Sequence, residues 1–226
     1  RTPLLVGIGA LRTQDAVILA QDAKAAGADA GLLAPVSYTP LTEDEVFAHF
    51  ETIACEAGLP ICIYNNPGTT HFTFSSRLIE RLSRVEGVVA VKNPAGDAAQ
   101  VEVELSALRS AVPAAFSLGY STDWNACEAL LAGGDAWYSV AAGLFPRPCL
   151  DLIRAAQRGD AKEARRIDAT LQPLWALFRQ YSSLRTIYAA ANRLGICRAA
   201  PPRPILPLDE AAQRAVAETL EAMGLS

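Results

Sequence analysis

Short, almost continuously apolar runs alternate with longer amphipathic stretches along the chain, and this alternation limits the possible folds more than any other feature. Apolar runs of this length are typical of strands that are covered on both faces in a parallel sheet. The stretches between them predict helices, so six β/α units in succession favour a parallel α/β fold. The six predicted strands are residues 3–9, 30–34, 59–64, 87–92, 114–119 and 136–140.

The helical stretches carry recognisable end signals. Residues 13–26 predict a helix with Thr13 as a candidate cap, and residues 42–57 begin with Thr42 and Glu45, a capping box. The further predicted helices of this part are 75–84, 98–111, 123–133 and 146–158. From about residue 160 the pattern predicts helices only, over 160–195 and 208–224, joined by the proline-rich segment 200–207. We therefore expect a β/α domain over residues 1–158 and a helical appendage over residues 159–226.

Alternation alone fits two architectures, an open doubly wound sheet and an eight-stranded (β/α) barrel. Six strands favour the open sheet by number. The chemistry of the candidate site favours the barrel, with two strands missing from this chain.

Composition excludes several classes of protein. The net charge is −4 and no cluster of Lys or Arg forms a basic surface, which argues against a nucleic-acid partner. No apolar run reaches the roughly 18 residues of a membrane span. None of the five cysteines forms a Cys-x-x-Cys pair, which predicts reduced thiols in a cytoplasmic protein. With only two histidines, a zinc site lacks obvious ligands, so no metal is expected.

Lys92 differs from the other two lysines of the chain, which lie in polar helical stretches. It closes the apolar run 88–91, where Val88, Ala90 and Lys92 share one face of a regular strand, pointing into the interior of the sheet. An ammonium group near an apolar interior is disfavoured relative to the neutral amine. The neutral amine is a nucleophile that forms Schiff bases with carbonyl compounds. The alternative is a lysine that reaches from a strand end to solvent.

Tyr64 ends the strand that precedes the one carrying Lys92. In a parallel barrel the carboxyl ends of the strands form the face on which active sites are assembled. Because consecutive strands are neighbours, we expect Tyr64 and Lys92 to lie within a side chain's reach. A phenol beside an amine is suited to proton transfer. The alternative is an aromatic side chain that only covers the rim of the barrel.

With these residues in place, the sequence resembles the dihydrodipicolinate synthase / N-acetylneuraminate lyase family of pyruvate-dependent class I aldolases. That family has Tyr-Asn-x-Pro on the fifth barrel strand and a Schiff-base lysine that ends the sixth. Here these motifs read YNNP at residues 64–67 and VAVK at residues 89–92, followed by Gly96-Asp97. The 28-residue separation of Tyr64 and Lys92 matches the family's layout, and the pair Gly119-Tyr120 resembles its lyase branch.

The resemblance implies a (β/α)8 TIM barrel that begins at its third unit, with a C-terminal helical extension. It implies that Lys92 forms an imine with pyruvate or a small 2-keto acid, that Tyr64 relays protons, and that the enamine reacts with an aldehyde or is formed by the reverse cleavage. No metal or diffusible cofactor is needed, and a homodimer or homotetramer is expected. The implied or candidate substrate-binding residues are Thr69, Thr70, Gly119, Tyr120 and Tyr138. By alternation one of Trp137 and Tyr138, in the last strand run, faces inward.

Three departures from the family pattern bear on substrate and activity. The family's first two β/α units, which carry a Gly-Thr-Thr motif, have no counterpart in this sequence. Thr69 stands where the synthase branch has an arginine for the aldehyde's carboxylate, which argues against dihydrodipicolinate synthase activity as such. Val36 and Ser37 stand where the synthases have two tyrosines, and Tyr38 is a candidate substitute in a shifted register.

Other functions remain open at this point. One is a sugar-acid dehydratase that uses the same imine. Another is a catalytically silent barrel that acts as a binding or structural subunit, which the absent units and the altered loop favour. An open sheet that binds a phosphorylated ligand lacks the expected glycine-rich loop.

Overall fold

The protein is represented by a computed structural model, and the structure is described for residues 1–225. It divides into two compact units, one formed by residues 1–121 and 132–138, the other by residues 122–131 and those from 139 onward. The division expected from the sequence, 1–158 and 159–226, stays a prediction, and residue 226 lies outside the described residues.

The first unit is built on a six-stranded parallel sheet. Its strands follow one another in chain order, β1-β2-β3-β4-β5-β6, which is the order that consecutive β/α connections favour. The parallel α/β class and all six predicted strands are confirmed, although β4 is longer than predicted and the other five strands are shorter. The strands are β1 Leu5–Gly7, β2 Ala30–Leu33, β3 Ile61–Tyr64, β4 Val88–Pro94, β5 Ser117–Ser121 and β6 Ala136–Trp137.

Five helices belong to this unit: α1 Thr13–Ala25, α2 Glu43–Ala57, α3 Pro67–Thr70, α4 Ser76–Leu82 and α5 Ala98–Ala111. The capping box of α2 is confirmed, since the Thr42 hydroxyl accepts from the Glu45 amide and the Glu45 carboxylate accepts from the Thr42 amide. The cap predicted at Thr13 is wrong. Arg12 occupies the cap position, and the Thr13 hydroxyl instead bonds Nδ1 of His49 at 2.9 Å.

The ladder between β3 and β4 contains an irregularity. Ile61 pairs with Val88, but Cys62 pairs with Ala90 and Tyr64 with Lys92, so the register skips Val89. Side chains therefore alternate regularly between the two faces only from Ala90 to Lys92, and the regular pattern does not extend back to Val88. The prediction that Val88 shares a face with Lys92 is wrong, because Val88 pairs with a residue adjacent to Cys62 rather than with one on its face.

Apolar side chains of the strands and helices form the core of the first unit. Those with no solvent exposure include strand residues Leu33, Ile61, Ile63, Val91 and Leu118 and helix residues Phe50, Leu78 and Leu108. Burying one such side chain contributes on the order of 2 kcal/mol. This core fixes the strands whose carboxyl ends carry Tyr64 and Lys92.

The second unit is helical. Its α-helices are α6 Ala126–Leu131, α7 Pro146–Gln157, α8 Ala161–Tyr181, α9 Ser183–Arg193 and α10 Glu210–Ala222. The predicted helix 160–195 is divided at Ser182, whose φ of 70° breaks the helical backbone. The buried Asp123 carboxylate accepts from the amides of Val140 and Ala141, which ties the start of this unit to its later part. Within residues 1–225 no helix combines the length and apolar character needed to cross a membrane.

Candidate active site

Tyr64 and Lys92 stand opposite each other on neighbouring strands. They are register partners in the ladder between β3 and β4, and both are half-buried. Nζ of Lys92 lies 4.8 Å from the centroid of the Tyr64 ring, within the roughly 6 Å range of a cation–π contact. The two side chains that the sequence singled out are therefore brought together.

The hydroxyl of Tyr64 has a fixed neighbour. It accepts a hydrogen bond from Nδ2 of Asn66 at 2.8 Å. Because the phenol acts as the acceptor in this bond, its own hydrogen remains free to be donated elsewhere. The arrangement orients the phenol while leaving it able to exchange a proton.

Tyr138 places a second ring beside the amine. It directly follows β6, its amide donates to the carbonyl of Tyr120 at 2.8 Å, and its ring centroid lies 5.7 Å from Nζ of Lys92. The Tyr138 hydroxyl lies 3.3 Å from Sγ of Cys62 on β3. The side chain thus reaches from the end of β6 across the sheet to β3.

Cys62 belongs to the same cluster, although sequence reasoning did not select it. Burial raises the pKa of its thiol to about 11, against the opposing effects of the Tyr138 hydrogen bond and the charge of Lys92. Burial likewise raises the pKa of Tyr138, so both groups are protonated at neutral pH. The available signal was its position two residues before Tyr64, which places it on the same strand face.

A side chain at position 119 would clash with Tyr138. Gly119 pairs with Lys92 across β4 and β5, and a Cβ atom built on it would collide with Cε2 of the Tyr138 ring. The glycine therefore leaves the space that the ring occupies. Its backbone lies beside Lys92 in the ladder, and its role in binding substrate stays a prediction.

Tyr120 lies on the other face of the sheet. It pairs with Asn93 rather than with Lys92, and it is 1% exposed. Its hydroxyl has no hydrogen-bond partner among residues 1–225, and burial, followed by the charge of Glu104, raises its pKa. Only the backbone of Tyr120 is available to the Lys92 face.

Two asparagines lock the same strands from the opposite face. Asn65 follows Tyr64 and Asn93 follows Lys92, and Nδ2 of Asn65 donates to Oδ1 of Asn93 at 2.9 Å. The backbone amide of Asn65 also donates to the backbone carbonyl of Lys92 at 3.0 Å. Both asparagines are buried, so this bond is shielded from competing water.

The remaining predicted site residues are placed less favourably. The hydroxyls of Thr69 and Thr70 both donate to the carbonyl of Asn66, at 3.2 and 3.0 Å. In this placement they point their hydrogens at their own loop. Tyr38 is 97% exposed, so it forms no enclosed site within the described part of the chain. Across residues 1–225, no group of three His, Cys, Asp or Glu side chains is arranged to hold a metal ion.

Comparison with known proteins gives a consistent result. The sequence profile of the Dihydrodipicolinate synthetase family matches residues 1–223. A 4-hydroxy-tetrahydrodipicolinate synthase of Alcanivorax borkumensis is 33% identical over 226 residues, which cover all of this chain and 75% of that protein.

Solved structures agree with the sequence comparison. The crystal structure of a dihydrodipicolinate synthase from Agrobacterium tumefaciens is 56% identical, with a TM-score of 0.95 over all of this chain and 75% of that one. A chloride-inhibited dihydrodipicolinate synthase from Acinetobacter baumannii, solved in complex with pyruvate, is 27% identical, with a TM-score of 0.90 over 100% of this chain and 76% of that one.

Proposed function

Because this chain belongs to the dihydrodipicolinate synthetase family, we propose that Lys92 forms an imine with pyruvate or a small 2-keto acid and that Tyr64 moves protons for it. The observation that carries this proposal is the Lys92 amine 4.8 Å from the Tyr64 ring, directly across the ladder. The reaction class is that of a Schiff-base aldolase or lyase.

The proposed reaction begins with the uncharged amine of Lys92. It attacks the keto carbon, a C–N bond forms, and the keto oxygen takes a proton. The nitrogen loses one of its protons, the oxygen takes a second one, and the C–O bond breaks as water leaves, which gives a protonated imine. Loss of a proton from C3 places the electron pair in an enamine, with the imine nitrogen as the electron sink.

The enamine carbon next attacks the aldehyde carbon, and the aldehyde oxygen takes a proton. Water adds to the new imine and releases Lys92, and the reverse sequence cleaves a carbon–carbon bond. Tyr64 fits the proton transfers because its phenol is anchored by Asn66 as an acceptor and keeps its own hydrogen.

Substrate binding is proposed at residues around this pair. The backbone of Gly119 and Tyr120 and the ring of Tyr138 border the Lys92 face. Thr69 and Thr70 can bind the carboxylate of the keto acid only if their hydroxyls rotate away from the Asn66 carbonyl. Tyr38, being fully exposed, can contribute only through a neighbouring subunit.

The second substrate is proposed to be an aldehyde. The relative from Alcanivorax borkumensis is a 4-hydroxy-tetrahydrodipicolinate synthase. Thr69 offers no positive charge at the place where the family's synthase branch has its arginine, so we propose an aldehyde that needs no ion pair at this position.

The test is reductive trapping with pyruvate and borohydride, followed by intact-mass measurement. Wild-type protein should gain the mass of one reduced pyruvate adduct, and Lys92→Arg should gain none. Lys24→Arg and Lys162→Arg are matched controls, since they change the only other lysines, and both should still be labelled. A folded wild-type protein without an adduct would contradict the proposal.

The proposal also includes the barrel assignment, the oligomeric state and the cellular location. The six strands are assigned to units three to eight of a (β/α)8 barrel. The assignment is supported by the 75% of the relatives' length that this chain covers. The sequence of the gene upstream of residue 1 tests it. A homodimer or homotetramer is proposed, with the exposed loop 34–41 at a subunit contact, and light scattering tests it. The five free thiols support a reducing, cytoplasmic location. No observation favours a silent barrel or a sugar-acid dehydratase.

A further inference from the structure

Tyr138 is held against the Lys92 site by contacts with two strands, β5 and β3. Its backbone is tied to β5 through the Tyr120 carbonyl, its ring fills the space left by Gly119, and its hydroxyl meets Sγ of Cys62 on β3. Lys92 lies on β4, between the strands that carry Gly119 and Cys62. A side chain anchored at both ends in this way has little freedom to leave the amine.

The amine of Lys92 is consequently flanked by two aromatic rings. The ring centroids of Tyr64 and Tyr138 lie 4.8 and 5.7 Å from Nζ. Aromatic faces attract a cation, and they also displace the water that would otherwise surround it. Tyr64 is accounted for by proton transfer, whereas the proposed reaction assigns no chemical step to Tyr138.

The two cationic states of the nitrogen respond differently to this enclosure. An ammonium group carries three N–H donors, whereas a protonated imine carries one. Loss of water from the nitrogen therefore penalises the ammonium more than the imine. Two flanking rings shift the balance between free lysine and bound keto acid towards the imine.

We propose that Tyr138 is the second aromatic wall of the imine site, and that Cys62 and Gly119 are positioning residues that hold its ring where it stabilises the protonated imine. This inference rests on the proposed Schiff-base function of Lys92 and deepens it. Cys62 acts through its hydrogen bond to Tyr138, and Gly119 through the space it leaves. Neither is assigned a chemical step.

The test measures how borohydride trapping depends on pyruvate concentration. Tyr138→Leu should raise the pyruvate concentration for half-maximal trapping by about fivefold to tenfold, the size expected for a partly desolvated cation–π contact. The amount trapped at saturating pyruvate should change much less. Tyr181→Leu makes the same chemical change on α8 and should leave the curve in place.

Cys62 offers a matched pair of variants. Cys62→Val is close in volume but removes the bond to Tyr138, so it should raise the half-maximal concentration in the same direction as Tyr138→Leu. Cys62→Ser keeps a polar partner for the phenol and should restore most of the wild-type value. This difference separates a positioning role from simple filling of the core.

Gly119→Ala approaches the same ring from the other side, since its Cβ collides with Tyr138. It should weaken trapping, and adding it to Tyr138→Leu should have less effect than in the wild-type background. If Tyr138→Leu does not fold, Gly119→Ala and the two Cys62 variants still decide the question.

The outcomes separate this inference from the proposed function. A wild-type protein without an adduct overturns the proposed function. A wild-type adduct, with unchanged pyruvate dependence in folded Tyr138→Leu or Cys62→Val, overturns the aromatic wall and leaves the Schiff base intact. Equal weakening by Cys62→Val and Cys62→Ser overturns the positioning role of the thiol.

Discussion

The two faces of strands β3, β4 and β5 are built for opposite purposes. The face that carries Tyr64 and Lys92 holds an amine between two aromatic rings, and we propose proton transfer there. The other face carries Asn65 and Asn93, buried and bonded to each other at 2.9 Å. Since adjacent residues of a strand point to opposite faces, each reactive side chain is followed by the residue that fastens its backbone. The strand backbone under Tyr64 and Lys92 is thus fixed from the opposite face, and the Tyr64 phenol is held in addition by its hydrogen bond from Asn66.

The largest effect is expected from a change on the reactive face. Tyr64→Phe keeps the ring beside Lys92 but removes the hydroxyl, so turnover with pyruvate and an aldehyde should fall by about 10²- to 10³-fold. The free energy of unfolding should change little in comparison. Steady-state kinetics and urea denaturation measure the two, with Tyr181→Phe as the control. Loss of stability without loss of turnover would remove the distinction between the faces.

The face that carries Asn65 and Asn93 is the fastening face of the sheet. Asn93→Ala on this face should act chiefly on stability. It leaves the buried amide of Asn65 without its partner, which costs about 2 kcal/mol in the free energy of unfolding. Asn192→Ala removes a side-chain amide that makes three hydrogen bonds, all of them exposed, so a smaller loss is expected there. Urea denaturation of both variants tests the comparison, and equal losses would argue that burial adds nothing to the asparagine pair.

Tyr120→Phe sharpens the assignment of Tyr120 to the fastening face. Its hydroxyl is buried without a hydrogen-bond partner among the described residues, so removing it should leave stability unchanged or raise it by up to about 1 kcal/mol. Thermal unfolding measures this. A rise in the pyruvate concentration needed for half-maximal trapping would instead place the hydroxyl at the substrate.

The smallest expected effect is a pH dependence of the free energy of unfolding, caused by Glu104 beside the fastening face. Burial raises the pKa of Glu104 above 4.5, and Asn93 donates to this carboxyl at 3.4 Å. Because the folded protein holds the proton more tightly, ionisation of Glu104 costs stability, and this cost appears as the pH rises above the unfolded value.

Glu104→Gln removes that cost, so its stability relative to wild type should improve between about pH 4 and about pH 7. Urea midpoints at the two pH values give the difference. Glu102→Gln, on an exposed part of the same helix, makes the same change of charge and should show no such trend. A constant difference for Glu104→Gln would indicate that burial does not raise the pKa of this carboxyl.

Local signals predicted the framework and the central pair. Apolar runs identified six strands, the Thr42–Glu45 pattern identified a capping box, and the neighbouring strand ends predicted that Tyr64 meets Lys92. Each of these depends on a few adjacent residues or on the order of consecutive strands. That is why a single sequence carries them.

The remaining features depend on packing between distant segments. The contact between Tyr138 and Cys62 joins residues 76 positions apart, and no local pattern encodes it. The family-like pair Gly119-Tyr120 suggested two binding residues, but strand alternation directs the Tyr120 side chain to the face opposite Lys92. Thr13 has the chemistry of a cap, yet its hydroxyl bonds His49 on another helix.

The skipped residue at Val89 has a consequence for how the motif itself should be understood. An extra residue is absorbed where the strand starts, before the chain reaches the lysine, so the ladder beyond it stays regular. A sequence one residue shorter at that place would form an unbroken ladder with the same two side chains opposite each other. The number of residues between the tyrosine and the lysine can therefore vary by one, whereas their pairing across the two strands stays the same.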